Sequence, residues 1–174
     1  VQSSDEFDSS ALGLQWQWQA NPDSDWHNLD VKGGLLMLKS TSLPDSLKNF
    51  WDLPNLLLQK FPAPRFTVTA KIDCRKMNEG EMSGLIVMGN DYSYIAFKKI
   101  GKKLIVSSAL CLDAEKRSDE IKTEIAEISG DMGYFSVEVS SGGVCDFSYS
   151  GDGLAFKDAG KPFQAKPGKW IGAK

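Results

Sequence analysis

The stretch SGLIVMGNDYSYIAF, residues 83–97, decides the fold of this 174-residue chain. Residues 83–88 are apolar on both alternating faces, which is typical of a central strand. Residues 92–97 alternate two sets of side chains, and the intervening Gly89-Asn90-Asp91 is turn chemistry that tolerates positive φ. The sequence therefore predicts a buried β-hairpin here.

Clean period-2 alternation returns on both sides of this hairpin, at residues 66–72 and 135–139, and predicts half-buried strands. Glycine and proline breaks separate all of these segments. Strands at this spacing predict a single domain over residues 1–174, of the all-β, antiparallel β-sandwich class. Further strands are predicted at residues 12–18, 35–39, 56–61, 103–110 and 144–149.

The segment from 113 to 128 allows two interpretations. Its Glu and Lys content and the helical spacing of Ile121, Ile125 and Ile128 favour a helix. Alternation from about Glu120 instead favours an edge strand, in which Ile121, Thr123 and Ile125 share one face and charged residues discourage pairing with another chain. We expect the strand, because the other segments are strands and a sandwich leaves little room for a lone helix.

The aromatic inventory is large, with 5 Trp, 9 Phe and 4 Tyr beside a single His. Such rings either pack a core or meet a ligand, since sugar faces bury apolar C–H groups against them. Strand phasing divides the set. It assigns Trp16, Trp18, Phe66, Phe135 and Phe147 to the core and leaves Trp26, Trp51, Tyr92 and Trp170 as candidate carbohydrate or pocket contacts.

Composition excludes several classes of function. The net charge of −3 arises from 20 basic and 23 acidic residues spread along the chain, so we expect no nucleic-acid partner. Apolar runs of a few residues are far shorter than the roughly 20 that a membrane helix needs, so we expect no membrane partner. The three cysteines form no CxxC pair, which excludes a zinc motif, and Cys74 and Cys145 fit buried positions.

Catalytic groups are scarce. His27 lies in a polar turn, no GxSxG motif is present, and a loop histidine is expected to be solvated. Acid–base hydrolysis of a glycoside needs two carboxylates across a cleft. The candidate pairs, Glu79 with Glu81 and Asp23 with Asp25, lie in turn-like stretches, so we expect no catalytic residues.

Calcium is the one metal that the sequence leaves open, and we expect no other cofactor. Glu6 and Asp8, with Asp131 or Asp152, could supply hard oxygen ligands at the rim of a sandwich. Spacing alone does not decide between a calcium site and solvated carboxylates.

Four blocks, in order along the chain, resemble the C-terminal β-sandwich of glycoside hydrolase family 43 β-xylosidases and α-L-arabinofuranosidases. The resemblance runs nearly from end to end and implies a jelly roll of the concanavalin A-like kind. The blocks are LQWQWQANP (14–22), PNLLLQKFP (54–62), GLIVMG (84–89) with DYSY (91–94), and PGKWIGAK (167–174).

The resemblance also implies a function. Family members carry their catalytic carboxylates on a separate five-bladed β-propeller, so this chain is expected to be an accessory module of a xylan- or arabinoxylan-directed hydrolase and inactive alone. Trp170 matches the aromatic residue that shapes the family's pocket for a xylose or arabinose unit, although a core anchor is the rival reading. The family continues with an apolar strand where this sequence stops, so the module is expected to end within its last strand.

Two further expectations follow from the same resemblance. A binding module that itself captures xylan is the alternative function. An extracytoplasmic location, periplasmic or secreted, is implied by the family alone.

Overall fold

The computed structural model describes residues 4–42 and 46–168. Those residues form an all-β fold with three single-turn 3-10 segments, at Ser24–Trp26, Phe50–Asp52 and Ala114–Lys116. The described strands are β1 (Gln17–Trp18), β2 (His27–Asp30), β3 (Leu35–Leu38), β4 (Leu57–Leu58), β5 (Phe66–Asp73), β6 (Met82–Met88), β7 (Tyr92–Ile100), β8 (Lys103–Cys111), β9 (Ile121–Ile128), β10 (Met132–Ser140), β11 (Val144–Ser150), β12 (Lys157–Asp158) and β13 (Phe163–Gln164).

Two antiparallel sheets make the sandwich. The first sheet has the order β12-β11-β10-β5, with β13 also paired to β11, and the second is the meander β6-β7-β8-β9. Two short antiparallel pairs, β1 with β4 and β2 with β3, lie outside these sheets. The predicted antiparallel β-sandwich is confirmed.

The main core lies between the two sheets. Phe97 of β7 and Phe135 of β10 are fully buried, with ring centroids 4.1 Å apart. Gly133 makes room for this pair, because a Cβ atom there would lie 2.4 Å from Cζ of Phe97. Cys74 and Cys145 are buried in the same cluster as free thiols, as predicted.

A second core covers the opposite face of β7. Tyr92 and Tyr94 pack there beneath Phe50, Trp51 and Leu58, which come from the segment before β5. Residues 92–97 of this strand are therefore buried on both faces, and this explains why they include no charged side chain.

The ambiguous segment is strand β9 at the edge of the second sheet, so the strand prediction is confirmed. A register shift between Val106 and Ser107 breaks the simple alternation along it. Ile125 packs against the main core, whereas Ile121 is 66% exposed. Ile121 is paired with Leu110, which also packs against the main core, so the shared face of Ile121 and Ile125 stays a prediction.

The predicted strand at residues 12–18 is mostly wrong. Only Gln17–Trp18 is a strand, and Leu14 is 101% exposed. Asp5 accepts hydrogen bonds from Nε1 of Trp16 (2.8 Å) and Nε2 of Gln15 (3.1 Å), which hold a turn in place of an extended strand. Trp16 and Trp18 are half-buried outside both core clusters, so their assignment to the core is wrong as well.

Candidate functional site

Trp26 ends the 3-10 turn Ser24–Trp26. Asp23 caps this turn by accepting a hydrogen bond from the Asp25 N–H at 2.9 Å. The Trp26 ring meets Trp18 edge to face, with centroids 5.3 Å apart and planes at 62°. Its carbonyl accepts the Lys39 N–H at 2.9 Å, which ties the turn to the end of β3. Trp26 is thus a half-buried ring that keeps part of its surface open.

His27 extends this cluster, because its ring centroid lies 5.6 Å from that of Trp18. Nδ1 of His27 is buried and has no hydrogen-bond partner among the described residues, and the same holds for Oδ1 of Asn55. The Asn55 amide reaches the Lys39 carbonyl at 3.5 Å, close beside the Trp26 turn. Buried polar atoms are ordinarily paired, so these two atoms mark a segment that is incompletely packed within the described residues.

Trp51 lies in the second 3-10 turn, Phe50–Asp52. Asn49 caps it by accepting the Trp51 N–H at 2.9 Å, and its own amide donates to the carbonyls of Ala114 and Ser118 at 2.9 and 2.8 Å. The Trp51 ring is half-buried against the second core. Part of the Trp51 ring is exposed, and the rest packs against the second core.

Tyr92 is not available to a ligand, because it is completely buried. Its hydroxyl donates to Glu120 and accepts the Phe50 N–H at 2.8 Å. Burial, together with Glu120, raises the pKa of Tyr92 well above its ordinary value. The assignment of Tyr92 as an exposed sugar contact is therefore wrong, and its role is to join three segments of the fold.

Trp170 lies outside the described residues. The segment leading towards it is fixed at several points, and Lys166 is the last of these: its Nζ contacts Oδ2 of Asp91 at 2.7 Å. Burial acts to raise the pKa of Asp91, but the Lys166 ammonium and the Asp113 N–H (2.7 Å) outweigh it and lower that pKa. Gly89 allows the close approach, since a Cβ there would lie 1.8 Å from the Lys166 carbonyl oxygen.

The candidate catalytic carboxylates serve local structure. Glu81 accepts hydrogen bonds from the Ser40 hydroxyl (2.6 Å) and the Asn78 N–H (2.8 Å), which lower its pKa, and Glu79 accepts the Gly101 N–H at 2.6 Å. A general acid in glycoside hydrolysis needs a raised pKa instead. These two carboxylates therefore fasten loops and do not fit an acid–base pair.

The calcium expectation finds no support in the described part of the chain. Glu6 and Asp8 are exposed, and no group of three or more His, Cys, Asp or Glu residues within 4–42 and 46–168 could hold a metal ion. Asp152 binds its own turn through the Leu154 and Ala155 N–H groups, which lower its pKa to about 2. No helix of the described residues is long and apolar enough to cross a membrane.

Comparison with known proteins assigns the chain. The profile of the β-xylosidase C-terminal concanavalin A-like domain matches residues 4–174. The chain belongs to this family. The concanavalin A-like domain is 28% identical over 188 residues to a β-xylosidase of Formosa agariphila, covering 97% of this chain and 30% of the relative. Over 90 residues it is 31% identical to a non-reducing end α-L-arabinofuranosidase of Bacteroides ovatus, covering 52% of this chain and 16% of that enzyme.

A solved structure has the same fold. It comes from work in which engineering the active site of a family 43 glycoside hydrolase generated an enzyme that displays both endo-xylanase and exo-arabinofuranosidase activity. The TM-score is 0.81 at 19% identity, and the match covers 97% of this concanavalin A-like domain and 35% of that chain. The domain therefore spans about a third or less of these matched proteins. It corresponds to the C-terminal domain of family 43 enzymes, and the resemblance in the sequence is confirmed.

Three residues beside Trp26 are not among the predicted site residues: Trp18, His27 and Asn55. Trp18 was assigned to the core and His27 to a solvated loop, whereas His27 begins β2 and is half-buried. A signal was present, because Gly33-Gly34 separate HNLD (27–30), with its apolar Leu29, from the apolar LLML (35–38). That pattern predicts a hairpin.

Proposed function

We propose that this chain is a non-catalytic accessory domain of a family 43 glycoside hydrolase acting on xylan or arabinoxylan. It packs on the catalytic propeller and helps to shape the substrate pocket. The observation that carries the proposal is the match of a C-terminal domain family over residues 4–174, in a chain whose candidate carboxylates fasten loops. The β-xylosidase and arabinofuranosidase relatives support this substrate class.

An activity assay tests the proposal. The isolated chain is expected to release no xylose from xylobiose and no arabinose from arabinoxylan oligosaccharides, whereas the complete parent enzyme releases at least one of them. Robust release by the isolated chain would refute the proposal. In the complete enzyme, Trp170→Ala is expected to lower kcat/KM for the preferred substrate at least tenfold, and Trp170→Phe to restore most of it.

A second candidate is a binding module that itself captures xylan. It is favoured by the partly open rings of Trp26 and Trp51. Affinity electrophoresis on xylan and arabinoxylan separates the two functions. Retardation of the isolated chain that Trp26→Ala or Trp51→Ala abolishes would support capture, and no retardation on either polysaccharide removes it.

A further inference from the structure

The N-terminal part of the domain differs from the rest in how its apolar residues are buried. Residues 4–42 include three of the five tryptophans, yet none of these residues is fully buried. Among the described residues before Leu58, none is a buried member of the main core or the second core, and only Phe50, Trp51 and Leu56 pack against the edge of the second core. The apolar side chains of this part are thus less buried than apolar residues usually are.

The β2–β3 hairpin shows this most clearly. Its register places His27 opposite Leu38 and Leu29 opposite Leu36, so these four side chains share one face. Leu38 is 54% exposed and the other three are half-buried. The ring contact between His27 and Trp18 continues this face into the tryptophan pair.

Two buried polar atoms lie in the same part of the domain as this hairpin. Nδ1 of His27 and Oδ1 of Asn55 are buried without a partner among the described residues. Native proteins ordinarily pair such atoms, so this segment is incompletely packed in the isolated domain. An apolar face over an incompletely packed segment is expected where another domain covers it.

The charge of the N-terminal part indicates what kind of surface covers its apolar residues. Residues 4–39 contain six carboxylates and two lysines, whereas the whole chain has a net charge of only −3. Glu6, Asp8, Asp23 and Asp25 are exposed, and Asp23 and Asp25 belong to the turn that carries Trp26. The complementary surface therefore has an apolar centre and a basic rim.

We infer that the aromatic patch, defined as Trp18, Trp26, His27, Leu38 and Asn55, is the surface that docks on the catalytic domain of the same polypeptide. The inference rests on the proposed function and names the face that meets the partner. The occupant is the remaining part of the parent chain, because the matched relatives are about three times the length of this domain. The apolar centre of that domain's surface covers the patch, while its basic rim meets the carboxylates.

Hydrogen exchange on the isolated chain and on the complete parent protein tests the inference. Amides of residues 17–39 are expected to exchange at least tenfold more slowly in the complete protein, because docking suppresses local opening. Strand β7 serves as the internal control, since it is buried on both faces and is expected to be protected in both samples. Strand β5, at the edge of the first sheet, is expected to stay unchanged.

A charge substitution sharpens the test. Leu38→Glu is expected to reduce the added protection to less than threefold in the complete protein and to leave the isolated chain folded, because Leu38 is 54% exposed there. Ile121→Glu is the matched control, since Ile121 is 66% exposed and lies outside the patch. It is expected to leave the protection unchanged.

The outcomes distinguish this inference from the function on which it rests. Added protection confined to another surface overturns the docking face and leaves the accessory function in place. No added protection anywhere overturns both. Protection of residues 17–39 by xylan in the isolated chain, without protection in the complete protein, overturns the inference in favour of glycan capture.

Discussion

The structural role of Tyr92 can be tested by removing one atom. In Tyr92→Phe the ring stays in the second core, but Glu120 loses a donor and the Phe50 N–H loses its acceptor. The Glu120 side chain is only 3% exposed, so water cannot replace the donor fully. A hydrogen bond to a charged group contributes about 1.5–3 kcal/mol and a neutral one about 1 kcal/mol, which gives an expected loss of about 2–4 kcal/mol in the free energy of unfolding.

Urea unfolding followed by tryptophan fluorescence measures this loss. With a slope of about 2 kcal/mol per molar urea, the midpoint is expected to fall by about 1–2 M. Tyr94→Phe is the matched control, because Tyr94 is buried on the same face of β7 and its hydroxyl makes no hydrogen bond within the described residues. Its midpoint is expected to change little. Equal shifts in the two variants would refute the reasoning, and an unchanged midpoint with weakened glycan binding would restore Tyr92 as a sugar contact.

Three further predictions concern the cores and the ion pair. Gly133→Ala is expected to cost about 1–3 kcal/mol of stability in urea, because its Cβ collides with Phe97; a neutral result would contradict the observed packing. The pKa of Asp91 is lowered on folding, so its contribution to the free energy of unfolding is complete above about pH 4 and is lost as pH falls through the folded pKa. In thermal melts below about pH 4, the melting temperature of Asp91→Asn should therefore depend less on pH than that of the unchanged protein. Burial raises the pKa of both Cys74 and Cys145 to about 11, so a thiol reagent at pH 8 should label them only after unfolding, and rapid native labelling would argue against their burial.

The sandwich was predictable wherever burial produces a strong pattern. Phe135 and its neighbours alternate because one face of β10 meets the core, and residues 92–97 include no charged side chain because both faces of β7 are covered. Edge strand β9 was harder, since Glu and Lys favour helices locally. Pairing with β8 overrides that propensity, and the bulge beside it has no clear signature in the sequence.

The candidate site was predicted less well, for a physical reason. Alternation gives the side to which a ring points but not what covers that side. Trp18 alternates like a core residue but faces the Trp26 turn, and Tyr92 resembles an exposed turn residue although the segment around Phe50 folds over it. The outcome for Tyr92 depends on a contact between residues far apart in the sequence, Phe50 and Tyr92. The expectation for Trp26 as a partly open ring was closer, since its capped turn is encoded locally.

The order of strands in the two sheets also bears on how the chain folds. The second sheet is a meander, so each pairing from β6 to β9 joins neighbours along the chain. The first sheet requires β5 to find β10, in a register that pairs Asp73 with Met132 across the whole meander. Closing so long a loop costs more entropy than forming a hairpin. We therefore expect the meander to form first and to act as a template, with the pairing of β5 and β10 as the slow step that closes the sandwich.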